Sequence, residues 1–177
     1  SPEQALLRAH GGGVVAGDFA GDGAPDLFFL GSNRSDYVIQ HPDGTWEHNP
    51  FGMIDPTTPM SMIFGGSVAD YDGDGDLDVF LSRYREPNLL LENDGNGNFH
   101  DVASERGVAG GTEHFSGSSA WSDFDNDGDL DLYGMLLTCF GAAVMHSVKK
   151  IGLVVDSTHE SEAIASAKAG ELVAYAR

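Results

Sequence analysis

A single cysteine, Cys139, occurs in the 177 residues, so no disulfide forms within the chain. Flanked by Thr138 and Phe140, it reads as a buried core residue rather than a nucleophile. No Cys/His spacing for zinc is present. Basic residues are scarce too: nine Lys and Arg stand against 28 Asp and Glu, for a formal net charge of −19. Phosphate contacts need clustered Lys and Arg, which argues against nucleic acid as a partner. The nearest approach to a basic spot, Arg83-Tyr84-Arg85, reads as a connecting loop. The apolar stretch at 134–145 is too short to span a bilayer, so no membrane span is expected. Gly11-Gly12-Gly13 lacks the pattern of a phosphate loop. No Ser-His-Asp arrangement can be argued from chain order, because such triads are defined by geometry. What remains is an acidic chain of one-domain length whose 41% apolar content permits a core.

Two aspartate-rich loops dominate that remainder. One runs Asp70-Tyr71-Asp72-Gly73-Asp74-Gly75-Asp76-Leu77-Asp78, the other Asp123-Phe124-Asp125-Asn126-Asp127-Gly128-Asp129-Leu130-Asp131. Both read D-x-D-x-D-G-x-x-D. Carboxylates at positions 1, 3, 5 and 9 of a tight loop converge, and four like charges repel unless a hard cation sits among them. Oxygen-only ligands favour Ca²⁺. Glycine at position 6 permits the sharp bend. A merely solvated acidic surface explains the charge but not the shared phase. Position 12, where an EF-hand needs a bidentate Glu, is Leu81 or Gly134, and the flanks lack helical period. Leu77-Asp78-Val79-Phe80-Leu81 reads as a strand, as does Gly66-Ser67-Val68-Ala69. Each loop therefore joins two strands.

A weaker copy lies upstream, at Asp18-Phe19-Ala20-Gly21-Asp22-Gly23-Ala24-Pro25-Asp26. Acids fill positions 1, 5 and 9, but Ala20 leaves position 3 without a ligand. Its alternatives are a third calcium site and a plain turn. The three loops begin at Asp18, Asp70 and Asp123, and a period of about fifty residues marks stacked supersecondary units such as propeller blades. Downstream, Asn88-Leu89-Leu90-Leu91-Glu92-Asn93-Asp94-Gly95-Asn96-Gly97-Asn98-Phe99 is a strand, a Gly/Asn turn and the start of another strand. Tyr37 to Trp46 occupies the same place in the first unit. Four antiparallel strands per unit make one blade.

On these residues the chain resembles the FG-GAP/VCBS repeats of integrin-alpha-like β-propellers. Phe64-Gly65-Gly66-Ser67-Val68-Ala69-Asp70 is similar to that family's opening and calcium strand. Residues 88–102, followed by Glu105-Arg106-Gly107-Val108, resemble its ASPIC/UnbV and cartilage-acidic-protein branch. The resemblance covers about residues 11–135. It implies ligands at Asp70, Asp72, Asp74 and Asp78, and at Asp123, Asp125, Asp127 and Asp131. It also implies a backbone carbonyl at position 7, from Asp76 and Asp129, with the side chains of those two facing water. The first repeat carries over Asp18, Asp22 and Asp26 alone. No leader pattern is visible at the start of the chain. An extracellular or cell-surface location therefore rests on calcium chemistry and the resemblance.

Composition shifts near Gly134. The expected division is 1–135 for the repeats and 136–177 for a tail, with the third unit stopping after its second strand near Tyr133. Apolar runs at 134–145 and 148–155 predict a hairpin, and Asp156-Ser157-Thr158 predicts the cap of a helix running to Tyr175. This tail resembles a fragment of the RNase H domain of Ty1/copia-type retroelements, in Ser147-Val148-Lys149-Lys150 and in residues 156–165. That resemblance implies a metal-binding glutamate at Glu162, beside Glu160, but a two-metal nuclease needs several further acids.

The expectation is thus a mainly β chain: a partial propeller of four-stranded blades with calcium loops, then a hairpin and a helix. It is a non-enzymatic adhesion or scaffolding module with two calcium sites and the Asp18 loop as an open third. Its expected partners are a protein or glycan, or further copies of itself through exposed strand edges. The alternatives are a self-assembling matrix subunit and an RNase H-like fragment.

Overall fold

The computed structural model describes residues 13–32, 35–48, 58, 60–112, 114–124, 126–138, 143–149 and 151–156. Each acid loop sits between the first two strands of an antiparallel meander. In blade 1 the strands are β1 Val14–Gly17, β2 Asp26–Phe29, β3 Asp36–Gln40 and β4 Trp46–His48. Blade 2 is β5 Ile63–Ala69, β6 Asp78–Arg83, β7 Leu89–Asn93 and β8 Phe99–Asp101. Blade 3 is β9 His114–Ser122, β10 Asp131–Thr138, β11 Ala143–Lys149 and β12 Ile151–Asp156.

Blade 3 departs from the sequence expectation. The apolar runs after Gly134 do not form a separate hairpin; β11 pairs along β10 and β12 along β11, completing the third sheet. The expected boundary at 135/136 falls inside β10. An unpaired β10 edge leaves a row of backbone donors and acceptors without partners, and the apolar β11 satisfies them. Asp156 ends β12, opposite Val144. The predicted helix body, with Glu160 and Glu162, lies outside the described residues.

Alternation along the strands decides which face meets which blade. In blade 2, Val79, Leu81, Leu89 and Leu91 share a core with Phe28, Leu30, Tyr37 and Ile39 of blade 1. The opposite face sets Phe80 and Leu90 against Leu132 and Trp121 of blade 3. Both faces of blade 2 are covered, which is why every residue of β6 is buried. Between blades 1 and 2, Phe28 stacks on Tyr37 at 4.4 Å, and the Phe99 ring meets Phe28 edge-on at 5.3 Å and Phe19 at 5.8 Å. Edge-on and stacked contacts of this kind add to simple area burial.

The glycine pair of β5 lies where blade 2 meets both of its neighbours. A Cβ on Gly66 would fall 3.0 Å from Leu30 and 3.1 Å from Val15 of blade 1. A Cβ on Gly65 would fall 2.8 Å from Ser82 Oγ and 3.0 Å from the Gly117 carbonyl oxygen of blade 3. Backbone cannot rotate aside as a side chain can. Gly65→Ala is therefore expected to cost about 1–3 kcal/mol by overpacking, read as a lower urea midpoint at unchanged slope. A wild-type midpoint in that variant would mean that blades 2 and 3 do not meet here. Nearby, Ser67 and Ser119 hydroxyls join the same two blades at 2.7 Å. Arg83 is not part of a basic patch. It is buried, its Nε donating to Ser61 O and its Nη1 to Pro87 O, each at 3.0 Å.

Candidate metal centre

The three acid loops are held by similar internal hydrogen bonds, the second differing in one donor: Gly73 at position 4 stands where the others use position 5. The position 1 carboxylate accepts two backbone N–H groups across the bend. Asp18 takes those of Asp22 and Gly23, Asp70 those of Gly73 and Gly75, and Asp123 those of Asp127 and Gly128, all at 2.8–3.1 Å. At position 5, Asp22, Asp74 and Asp127 each accept the N–H two residues on, at 3.0, 2.9 and 3.2 Å. Two positions carry left-handed backbone, not one. Position 6 is Gly23, Gly75 and Gly128, with φ of 87°, 102° and 97°. Position 4 is Gly21, Gly73 and Asn126, with φ of 69°, 78° and 58°. Glycine and asparagine are the residues that tolerate this region. The Gly/Gly/Asn series at position 4 is the sequence signature of that second left-handed position.

Position 9 does more than offer a ligand. Asp26, Asp78 and Asp131 are buried beneath their loops. Asp78 Oδ2 accepts the Tyr71 N–H at 3.1 Å, and Oδ1 accepts the Asn93 N–H at 2.9 Å, tying the loop to the end of β7. Asp26 does the same in blade 1, with Phe19 N–H at 2.9 Å, Ala20 N–H at 3.0 Å and Gln40 N–H at 2.9 Å. Asp131 accepts the Phe124 N–H at 2.9 Å.

In the second loop, ligand oxygens of Asp70, Asp72 and Asp78 lie within 4.8 Å of one another. Oxygens bound to one Ca²⁺ at about 2.3–2.6 Å can stand no more than roughly 5 Å apart, so this set fits a single calcium ion. Each carboxylate oxygen has lone-pair capacity beyond the hydrogen bond it accepts. Burial pushes the Asp78 carboxyl up to about 7, with the charges of Asp72 and Asp74 adding to the shift and the two backbone donors opposing it. Desolvation also raises Asp72, with Asp74, Glu92 and Asp70 contributing. A cation placed among them relieves that repulsion.

The remaining predicted residues fall as follows. Asp74 is exposed on the same loop, outside that triad. Asp76 does not face open water: it is half-buried, and its carboxylate rests on Gly95, where a Cβ would lie 2.4 Å from Oδ2. Asp129 is likewise half-buried and lines a cavity between the blades with Asp72, Tyr71 and Trp121. Asp125 lies outside the described residues. Among the described residues, Asp18, Asp22 and Asp26 are not gathered as the Asp70 triad is, in keeping with the missing acid at Ala20.

Three four-stranded meanders, each with an acid loop between its first two strands, define a propeller-type repeat protein. The chain belongs to the FG-GAP-like repeat family, which matches residues 18–81 and 70–134, each match running from one acid loop through the next. Cartilage acidic protein 1 of Mus musculus is 38% identical over 71 residues, which cover 40% of this chain and 11% of that protein. Cartilage acidic protein 1 of Xenopus tropicalis is 41% identical over 58 residues, 32% of this chain and 9% of that protein. The chain thus spans about a tenth of the length of the curated relatives it matches. No helix among the described residues is long and apolar enough to cross a membrane.

Proposed function

We propose that the chain is a calcium-binding, extracellular repeat module for adhesion or scaffolding, with no catalytic role. The convergence of Asp70, Asp72 and Asp78 within 4.8 Å carries this reading. Membership in a repeat family typical of extracellular proteins supports the location. Calcium held by the loop between β5 and β6 neutralises the cluster and locks the two strands where they leave the blade. The third loop, with the same spacing and the same position 6 N–H bound to its first carboxylate, holds a second ion through Asp123, Asp125, Asp127 and Asp131. The blade surfaces then present a fixed shape to a protein or glycan partner.

Extracellular calcium modules bind at about 10⁻⁴–10⁻³ M. Near millimolar calcium, a site at the tight end of that range adds roughly 1–2 kcal/mol through binding to the folded state alone. Asp72 is the cleanest probe, because its side chain is exposed and accepts one long bond, from the Asp74 N–H at 3.3 Å. Asp72→Ala is expected to lower the melting temperature in calcium and to leave it nearly unchanged in chelator. Equal losses in both conditions would remove Asp72 from the ligand set, and a wild-type melt indifferent to calcium would sink the reading.

A further inference from the structure

A cavity of about 230 Å³ lies between blades 2 and 3. Leu90 and Leu132, each 1% exposed, form its floor. Tyr71 and Trp121 supply stacked rings to its wall, with centroids 5.9 Å apart. Asp72 and Arg106, both exposed, line its mouth together with the half-buried Asp129. An apolar cavity of about 150 Å³ holds benzene, so this one has room for a six-membered ring with substituents.

Two changes within the repeat create the room and its polar rim. Leu90 pairs with Phe80 in blade 2 as Tyr37 pairs with Phe28 in blade 1. Tyr37 is 1% exposed and fills its side of the junction with blade 2, its ring 5.7 Å from Phe99. Leu90 has no ring to put at that position, and space remains against blade 3. At loop position 2, Phe19 of blade 1 is replaced by Tyr71, whose hydroxyl donates to Glu92 Oε2. The same oxygen accepts Arg106 Nη2 at 3.1 Å, and the guanidinium lies over the Tyr71 ring, 5.5 Å from its centroid. Arg106 is thereby held at the mouth, and a guanidinium with five donors is not exhausted by that clamp.

The charges at the mouth select the class of ligand. A carboxylate in the cavity would face Asp72 and Asp129, and an ammonium would face Arg106. A hydroxyl donates to the first two and accepts from the third. The ring faces and leucines suit the C–H face of a saturated ring, and a few convergent polar groups in an apolar cavity are what a small-ligand site needs. We propose that the cavity binds one uncharged pyranose residue, its hydroxyls on Asp72, Asp129 and Arg106 and one ring face against the Tyr71–Trp121 wall. This deepens the glycan-binding reading above and rests on it. The calcium loop and the cavity share Asp72, whose two oxygens can serve an ion and a hydroxyl at once.

Titration of the isotope-labelled whole chain with glucose, galactose, mannose and N-acetylglucosamine tests this, read at the Trp121 indole N–H by NMR. The chain has two tryptophans, so Trp46→Phe assigns the peak. At least one sugar is expected to shift it saturably, with a dissociation constant of about a millimolar for so small a ligand. Benzoate and benzylamine, of similar ring size and opposite charge, are expected to leave it in place. Leu90→Tyr, which installs the residue of blade 1, should abolish the shift. Arg106→Gln, at the exposed mouth, should weaken binding by about tenfold or more, as loss of a charge-assisted hydrogen bond does. Thermal melts of each variant in calcium and in chelator report on folding and on the loop independently of the sugar. Should Leu90→Tyr fail to fold, the Arg106→Gln titration decides. No shift with any of the four sugars would overturn the proposal, and a calcium-dependent melt in the same sample would leave the calcium reading standing. Sugar binding undiminished in Arg106→Gln or in folded Leu90→Tyr, or a charged probe binding in place of the sugars, would overturn it equally.

Discussion

Asp78→Ala is expected to destabilise the chain by about 2–4 kcal/mol in chelator, and by roughly 1–2 kcal/mol more in calcium, where a ligand is lost as well. The substitution strips the acceptor from two backbone donors, the N–H groups of Tyr71 and Asn93. Leaving a buried donor unsatisfied costs about 1–3 kcal/mol each. Relief of the buried charge, whose carboxyl sits near neutrality at about 7, offsets part of that sum. Asp78→Asn, which keeps one acceptor oxygen, should lose less. Chemical denaturation under both conditions, beside Asp72→Ala, makes the comparison informative. Asp72 is expected to matter with calcium present, and Asp78 always. A loss confined to calcium would reduce Asp78 to a ligand and remove its role as the pin between loop and β7.

Phe99→Ala is expected to cost about 3–5 kcal/mol, the range for emptying a buried aromatic site. The ring fills the space between blades 1 and 2, in contact with Phe19, Phe28 and Tyr37. Those three come from a different blade, so the vacated volume cannot collapse without moving one sheet toward the other. The matching truncation at Trp46, on the same strand position one blade earlier, should leave a dilute monomer nearly unchanged. Urea denaturation of the two variants side by side reads the difference. A loss below about 1 kcal/mol for Phe99→Ala would mean that the inter-blade contact contributes little to folding.

How much of this was legible beforehand depends on the range of the interaction. Loop position, strand placement and the repeat were open to reading because each is built from residues close in sequence. D-x-D-x-D-G-x-x-D spans nine positions, and the bonds that shape it join residues two to seven apart. Asp70, Asp72 and Asp78, three of the acids named from the sequence, lie together for the same reason. The double role of position 9 was not visible, because the Asn93 N–H that binds Asp78 comes fifteen residues later, from another strand. Asp76 was expected to face water, since nothing local shows that Gly95 folds back onto it. Blade 3 was expected to stop at its second strand because composition shifts near Gly134 and the tail resembles a different family. The pairing of β11 and β12 follows instead from apolar segments completing an open edge.

Local chemistry alone determined that the chain is acidic, repetitive and mainly β, with carboxylates at fixed phase in three tight loops. Covalent neighbours and alternation suffice for that. The tertiary structure decided which glycine faces which blade, and that Asn93 Nδ2 would donate to the Phe19 carbonyl oxygen at 2.9 Å across 74 residues. It also decided that the same aromatic position would be buried at Phe99 and bare at Trp46. Burial belongs to the neighbour that packs against a residue, and a nine-residue motif does not encode that neighbour.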